Sequence, residues 1–216
     1  MLLGKTDKLF LWIRSTPFFL RFTLFTRILL AAGFIPTGMV KLLGRRFTLI
    51  SVETPIGAFF ETLYQTGGYW RFLGLSQVLA GFLLLIPRSA HLGALLFVPI
   101  IVNIFVLTVA LGFKGTPVVT GLMLLAILYL CAWDYHRFRS IFTTRPWDPE
   151  CSVPDPRLDW LEKIGFWVFA VSLLAVLGVT RSLVSTAWVP AFLIAGASAG
   201  LLTLARFLAT GRRLRP

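Results

Sequence analysis

Residues 91–111 read HLGALLFVPIIVNIFVLTVAL, an unbroken run with no Asp, Glu, Lys or Arg. At ~1.5 Å rise per residue, a helix of this length crosses roughly 30 Å, the thickness of a bilayer's hydrocarbon core. On either side of it, apolar blocks of similar length lie at about 22–42, 70–86, 117–135, 163–180 and 187–208. Hydrophobic residues make up 57% of the chain, charged residues 14%, and the mean hydropathy is +0.83. A water-soluble globule has nowhere to hide that much apolar surface. The fold class is therefore an all-α membrane protein with six spans. Thr116-Pro117 suits the start of the fourth span, with Thr116 as its cap, because proline at the first helical position loses no intrahelical bond. Pro36 and Pro99 lie inside spans and predict kinks.

The net charge of +12 raises the question of a nucleic-acid partner. The placement of the basic residues answers it in favour of the lipid bilayer, since they sit at the ends of apolar blocks. With Arg27 and Lys41 set aside, fourteen Lys and Arg fall on the side holding both termini and five on the other. Both termini are expected in the cytoplasm. Residues 1–21 carry Lys5, Lys8, Arg14 and Arg21 among Phe, Leu and Trp and read as an amphipathic segment at the interface. Ala31-Ala32-Gly33 resembles a signal cleavage pattern, but Arg27 interrupts the preceding stretch and the apolar run continues, so an uncleaved first helix is expected. Cys131 and Cys151 have neither CxxC nor metal-ligand spacing.

Four units follow. Residues 1–21 form the interfacial segment and 22–142 a four-span core with an outer loop at about 43–69. Residues 143–162, with Pro146, Pro149, Pro154 and Pro156 among acids, form a cytoplasmic linker, and 163–216 form a two-span unit with a basic tail. Within the outer loop, Thr54-Pro55 before Phe59, Phe60, Leu63 and Tyr64, then Gly67-Gly68, predicts a short helix with an apolar face and a glycine stop. Tyr69-Trp70 and Trp133, near span ends, read as belt anchors.

Gly196-Ala197-Ser198-Ala199-Gly200 matches the GxSxG pattern of hydrolases but lies mid-helix, away from either histidine. Gly196 and Gly200 are expected instead to form a GxxxG packing face. No HExxH, CxxC, P-loop or GxGxxG occurs, no metal site is expected, and two histidines outside the spans argue against haem.

Ionisable side chains at membrane depth are costly and point to protein partners or ligands. Arg27 and Asp134 share the cytoplasmic leaflet, and either they pair or Arg27 snorkels while Asp134 caps locally with Arg137. Lys41, fourteen residues after Arg27, projects from the same helix face into the outer half. There Glu53 or Glu61 is its expected partner, with Gln77 and Asn103 completing a polar pocket. The alternative is a snorkelling lysine, with the two amides serving as interhelical glue.

Four segments carry a family resemblance: Arg27-Ile28-Leu29-Leu30, Gly38-Met39-Val40-Lys41-Leu42, Leu79-Ala80-Gly81-Phe82-Leu83-Leu84-Leu85-Ile86-Pro87 and Leu92-Gly93-Ala94. In order and spacing they resemble the DoxX-like membrane proteins over about residues 20–140. The resemblance implies a four-helix transmembrane bundle with two additional C-terminal helices, in a bacterial inner membrane. It also implies an accessory role in a membrane redox system, with other redox subunits as partners and a quinone or similar isoprenoid as cofactor. This chain departs from the family in carrying Gln77 where an acid is usual and in lacking a redox cysteine pair. No catalytic motif supports a stand-alone enzyme. A carrier of a small apolar ligand, such as a lipid or isoprenoid, and a structural membrane partner are the other readings. The candidate ligand-binding residues are Arg27, Lys41, Glu53, Glu61, Gln77, Asn103 and Asp134.

Overall fold

The computed structural model of the chain describes residues 5–142 and 158–210. The proline-rich linker as far as residue 157, Cys151 within it, residues 1–4 and the tail from 211 onward lie outside the described residues. The described residues contain nine α-helices and one 3-10 turn, Thr186–Trp188. Two short helices, α1 (Lys5–Ser15) and α7 (Tyr135–Phe142), lie at one end of the bundle, and α3 (Pro55–Gln65) lies at the other. Between them run α2 (Pro17–Leu42), α4 (Gly68–Leu85), α5 (Ala90–Ala110), α6 (Thr116–Trp133), α8 (Trp160–Val179) and α9 (Val189–Thr210). Six helical segments are long and apolar enough to cross a membrane. The chain is a polytopic, all-helical membrane protein.

Local chemistry sets the helix boundaries. Thr16 takes an extended backbone (φ −87°, ψ 118°) and separates α1 from α2, and Pro17 then opens α2 five residues before the expected start. At α6 the cap is Gly115, left-handed at φ +78°, rather than Thr116, because the chain must reverse tightly after Gly112. α2 and α5 continue through Pro36 and Pro99. α3 is capped as its sequence predicts, with the Thr54 hydroxyl accepting from the Gly57 amide at 3.1 Å. Gly67, at φ +56°, sits between α3 and α4.

Within hydrocarbon, helices associate through close packing and polar contacts rather than through release of water. Small residues on α4 accordingly let α2 come close. A Cβ at Gly38 would stand 2.9 Å from the Gly74 carbonyl oxygen, and one at Gly81 would stand 2.6 Å from Ile35. The central cluster draws Leu30 and Phe34 from α2, Ala80 and Leu84 from α4, Ala94, Phe97 and Ile101 from α5, and Ile127 and Leu130 from α6. Phe34 and Phe97 meet edge to face at 4.7 Å, a geometry worth about 0.5–1.5 kcal/mol beyond the area buried.

α8 and α9 pair with each other, and α8 docks on α2. A second cluster of Ile28, Phe166 and Ala170 forms there, with Phe25 edge-on to Phe166 at 4.9 Å and to Phe169 at 5.4 Å. The expected glycine face of α9 is only half used. Gly196 lies against Ser172, whereas Gly200 faces open space. The seam instead runs through Gly196, Ala199 and Thr203, since Gly165 of α8 sits under Thr203 and the Ala199 carbonyl.

The α3 end is closed by aromatic side chains. Phe60 contacts Phe47 at 5.6 Å and Phe113 at 6.2 Å, and Tyr64 stands edge-on to Trp70. Trp70 is no belt anchor: it is fully buried, and its indole N–H donates to the Arg45 carbonyl at 3.0 Å. Trp133 is likewise buried, while Tyr69 is exposed as an anchor would be.

Candidate functional site

Two polar layers lie along α2. Arg27 and Lys41 define them, about 21 Å apart by helical rise.

At the α1 end, Arg27 Nη2 donates to Asp134 Oδ2 at 3.1 Å, with both residues buried. Asp134 ends α6 and collects further cations. Arg14 Nη1 lies 3.5 Å from Oδ1 and Arg137 Nε lies 3.8 Å from the same oxygen. Arg14 also donates to the Trp133 carbonyl at 3.1 Å and stacks 4.8 Å above the Trp133 ring. α1 thus reaches over the bundle end instead of resting only at a lipid interface. Nearby, Thr23 and Tyr129 share a 2.8 Å hydrogen bond, and Arg137 meets His91 Nδ1 at 3.1 Å. Arg27 Nε has no hydrogen-bond partner.

Beside Arg27 opens a cleft of about 80 Å³ between α2, α4 and α8. Leu24 and Ile28, Leu84 and Leu85, and Phe166 and Ala170 form its apolar walls. Lys163 and Trp167, both exposed, stand at its rim. The flank is held by a part-buried ion pair, Arg21 Nη2 to the buried Glu162 Oε1 at 2.6 Å, which ties α2 to the first turn of α8.

At the α3 end, Lys41 departs from expectation. It is buried, but its ammonium donates to Gln77 Oε1 at 2.8 Å and lies 4.6 Å above Phe47 and 5.6 Å from Trp70. Neither glutamate reaches it. Glu61 is bound by Arg46 through two bonds of 2.7 and 2.8 Å, which hold its carboxyl below the usual range. Glu53 is exposed in the turn before α3. Asn103 faces outward from α5 and does not join the layer. The physical reason is local: Arg46, five residues beyond Lys41, presents its guanidinium to α3 at the surface, while Gly38 and Gly74 bring α4 close enough for Gln77 to meet the lysine.

The candidate ligand-binding residues therefore fall into two separate layers, and the outer pocket expected around Lys41 keeps only Gln77. Of the two alternatives for Arg27, the structure shows the pair with Asp134 and not a snorkelling side chain, and Lys41 meets Gln77. Glu162, Lys163, Phe166 and Trp167 are not among the candidate residues of the sequence, and Arg14 and Arg21 figure there only as interfacial charges. Arg21 and Glu162 at the mouths of two apolar blocks were the available signal, but their pairing depends on α8 docking against α2. Among the described residues no group of His, Cys, Asp and Glu is arranged to hold a metal ion.

These features describe a multi-pass helical membrane protein with an apolar-walled cleft beside a buried, carboxylate-paired arginine. The chain belongs to the same family as a Bacillus subtilis (strain 168) relative named "Uncharacterized protein YwoB". It is 34% identical to that relative over 129 residues, covering 56% of this chain and 82% of the relative. No family model matches the chain, and no solved structure matches it.

Proposed function

We propose that this protein binds a small lipid-like molecule, a lipid or isoprenoid, in the cleft between α2, α4 and α8. The observation that carries this is the cleft itself: apolar walls of Leu24, Ile28, Leu84 and Phe166 around the buried Arg27, open at a rim where Trp167 is exposed. Ligand sites of this kind combine apolar lining with a few polar contacts that orient the ligand. An apolar tail fits the walls and continues into the bilayer. The excess of basic residues toward the α1 end supports placing that end, and both termini, in the cytoplasm of a bacterial cell. A quinone falls within this ligand class. The redox accessory role implied by the DoxX resemblance would then consist of holding a quinone for a partner subunit.

The test is retention of small molecules by the purified full chain, read by native mass spectrometry. Leu85→Trp, which fills the cleft from a half-buried position, should lower retention about tenfold relative to wild type and to Leu85→Ala. Equal retention in all three would reject the cleft as the binding site.

A further inference from the structure

Arg27 is unusual among the buried cations because it is only partly used. One guanidinium nitrogen, Nη2, serves Asp134, while Nε is buried and makes no hydrogen bond. An arginine N–H left without an acceptor at membrane depth is costly, and an incoming anion removes that cost. The side chain lines the cleft. Across the cleft, one turn into α8, Lys163 supplies a second cation, which makes no ion pair among the described residues. Neighbouring charges are already answered: Arg21 by Glu162, and Asp134 by Arg27 with Arg14 and Arg137.

We infer that the cleft takes a lipid with a phosphate head, the phosphate bridging Arg27 on α2 and Lys163 on α8 while the first methylenes of the chain lie along Leu24, Ile28, Leu84 and Phe166. This rests on the ligand reading above and specifies its chemistry. A guanidinium edge matches two phosphate oxygens, and a lysine ammonium adds a point charge for a third. The levels also agree. Leu85 and Pro87 at the end of α4 and the first turns of α8 place the mouth of the cleft at the end of two spans, the side from which a lipid phosphate can reach in toward Arg27. Lys41 makes no equivalent site, since its ammonium is enclosed by Gln77, Phe47 and Trp70.

The experiment uses the full chain in one uncharged detergent and three probes: dioleoyl phosphatidic acid, dioleoylglycerol with the same chains, and inorganic phosphate. Binding is read by native mass spectrometry and by the shift in melting temperature. Phosphatidic acid should bind about tenfold more tightly than dioleoylglycerol. Lys163→Gln, at an exposed position, should remove a large part of that preference and leave dioleoylglycerol unchanged. Arg27→Lys keeps a cation for Asp134 but loses the Nε–H, and should do the same. Should Arg27→Lys fail to fold, Lys163→Gln and Lys163→Glu decide alone. Equal binding of the two lipids, both blocked by Leu85→Trp, would overturn the phosphate inference and leave the apolar-ligand reading standing. Lipid binding indifferent to Leu85→Trp would overturn both. Inorganic phosphate raising the melting temperature as much as phosphatidic acid would overturn the lipid assignment in favour of a free anion.

Discussion

Arg27 and Lys41 project from one face of the same helix, both are buried, and the structure treats them differently. Arg27 has a carboxylate at 3.1 Å, with two further arginines around that carboxylate. Lys41 has an amide at 2.8 Å and two aromatic faces. A buried cation is thus kept in two ways, by an opposite full charge or by dipoles and ring quadrupoles. The first ties the helices together more tightly and leaves more to lose when one partner is removed. Breaking a buried ion pair strands a desolvated charge, whereas removing a cation held by neutral groups strands none.

That asymmetry makes the carboxylate the most damaging residue to replace. Asp134→Asn leaves Arg27 facing a neutral amide with Arg14 and Arg137 close by, and should destabilise the protein by about 3–5 kcal/mol. Reversible unfolding in mixed detergent micelles would measure it. Lys41→Met should cost less, about 1–2 kcal/mol, for one charged hydrogen bond and two ring contacts partly replaced by packing. If Lys41→Met proved as damaging as Asp134→Asn, the two layers would be energetically alike and the comparison would fail.

A smaller effect concerns pH at the α1 end. Burial, with Arg14 next in importance, pushes the His136 imidazole down to about 4. An unfolded histidine titrates near 6.5, so the unfolded chain binds more protons across the interval. Stability from neutral His136 is therefore complete above pH ~6.5 and is lost as pH falls toward about 4. Melting temperatures across that window should fall in the wild type, and His136→Gln should flatten the slope. An unchanged slope in the variant would assign the acid sensitivity to other groups.

The smallest expected effect is an absence of coupling. Because Glu61 belongs to Arg46 and not to Lys41, Lys41→Met and Glu61→Gln should add within about 0.5 kcal/mol in a double-mutant cycle. The same cycle with Lys41→Met and Gln77→Leu should not be additive. Coupling with Glu61 instead would mean that the lysine reaches the surface acid in the membrane.

These layers also show which kinds of information a sequence carries. The six spans were legible because an apolar run long enough to cross hydrocarbon is a one-dimensional property, as the run 91–111 illustrates. The shared level of Arg27 and Asp134 was legible because depth along two spans can be counted from their ends, whereas the choice between pairing and snorkelling was not. The helix at α3, its Thr54 cap and the glycine stop at Gly67 were legible from local backbone preferences. The Lys41 partner was misread because counting acids on one side of a membrane ignores competition, and Arg46 holds Glu61 by two bonds. Asn103 was misread because its depth was right and its direction was not, and direction depends on which face of α5 meets the core.

Length and composition along one chain settle that this is a membrane protein, how many times its helices can cross, and which charges fall within the apolar runs. Only the packed helices show that α8 docks on α2 through Phe25, Phe166 and the Arg21–Glu162 pair, that Trp70 is core and not an anchor, and that a cleft opens beside Arg27. Each of these depends on side chains from distant helices arriving at the same place. That meeting is set by helix-to-helix shape and close approach, as where Gly38 and Gly74 admit Gln77 to Lys41, and no pattern along a single chain records it.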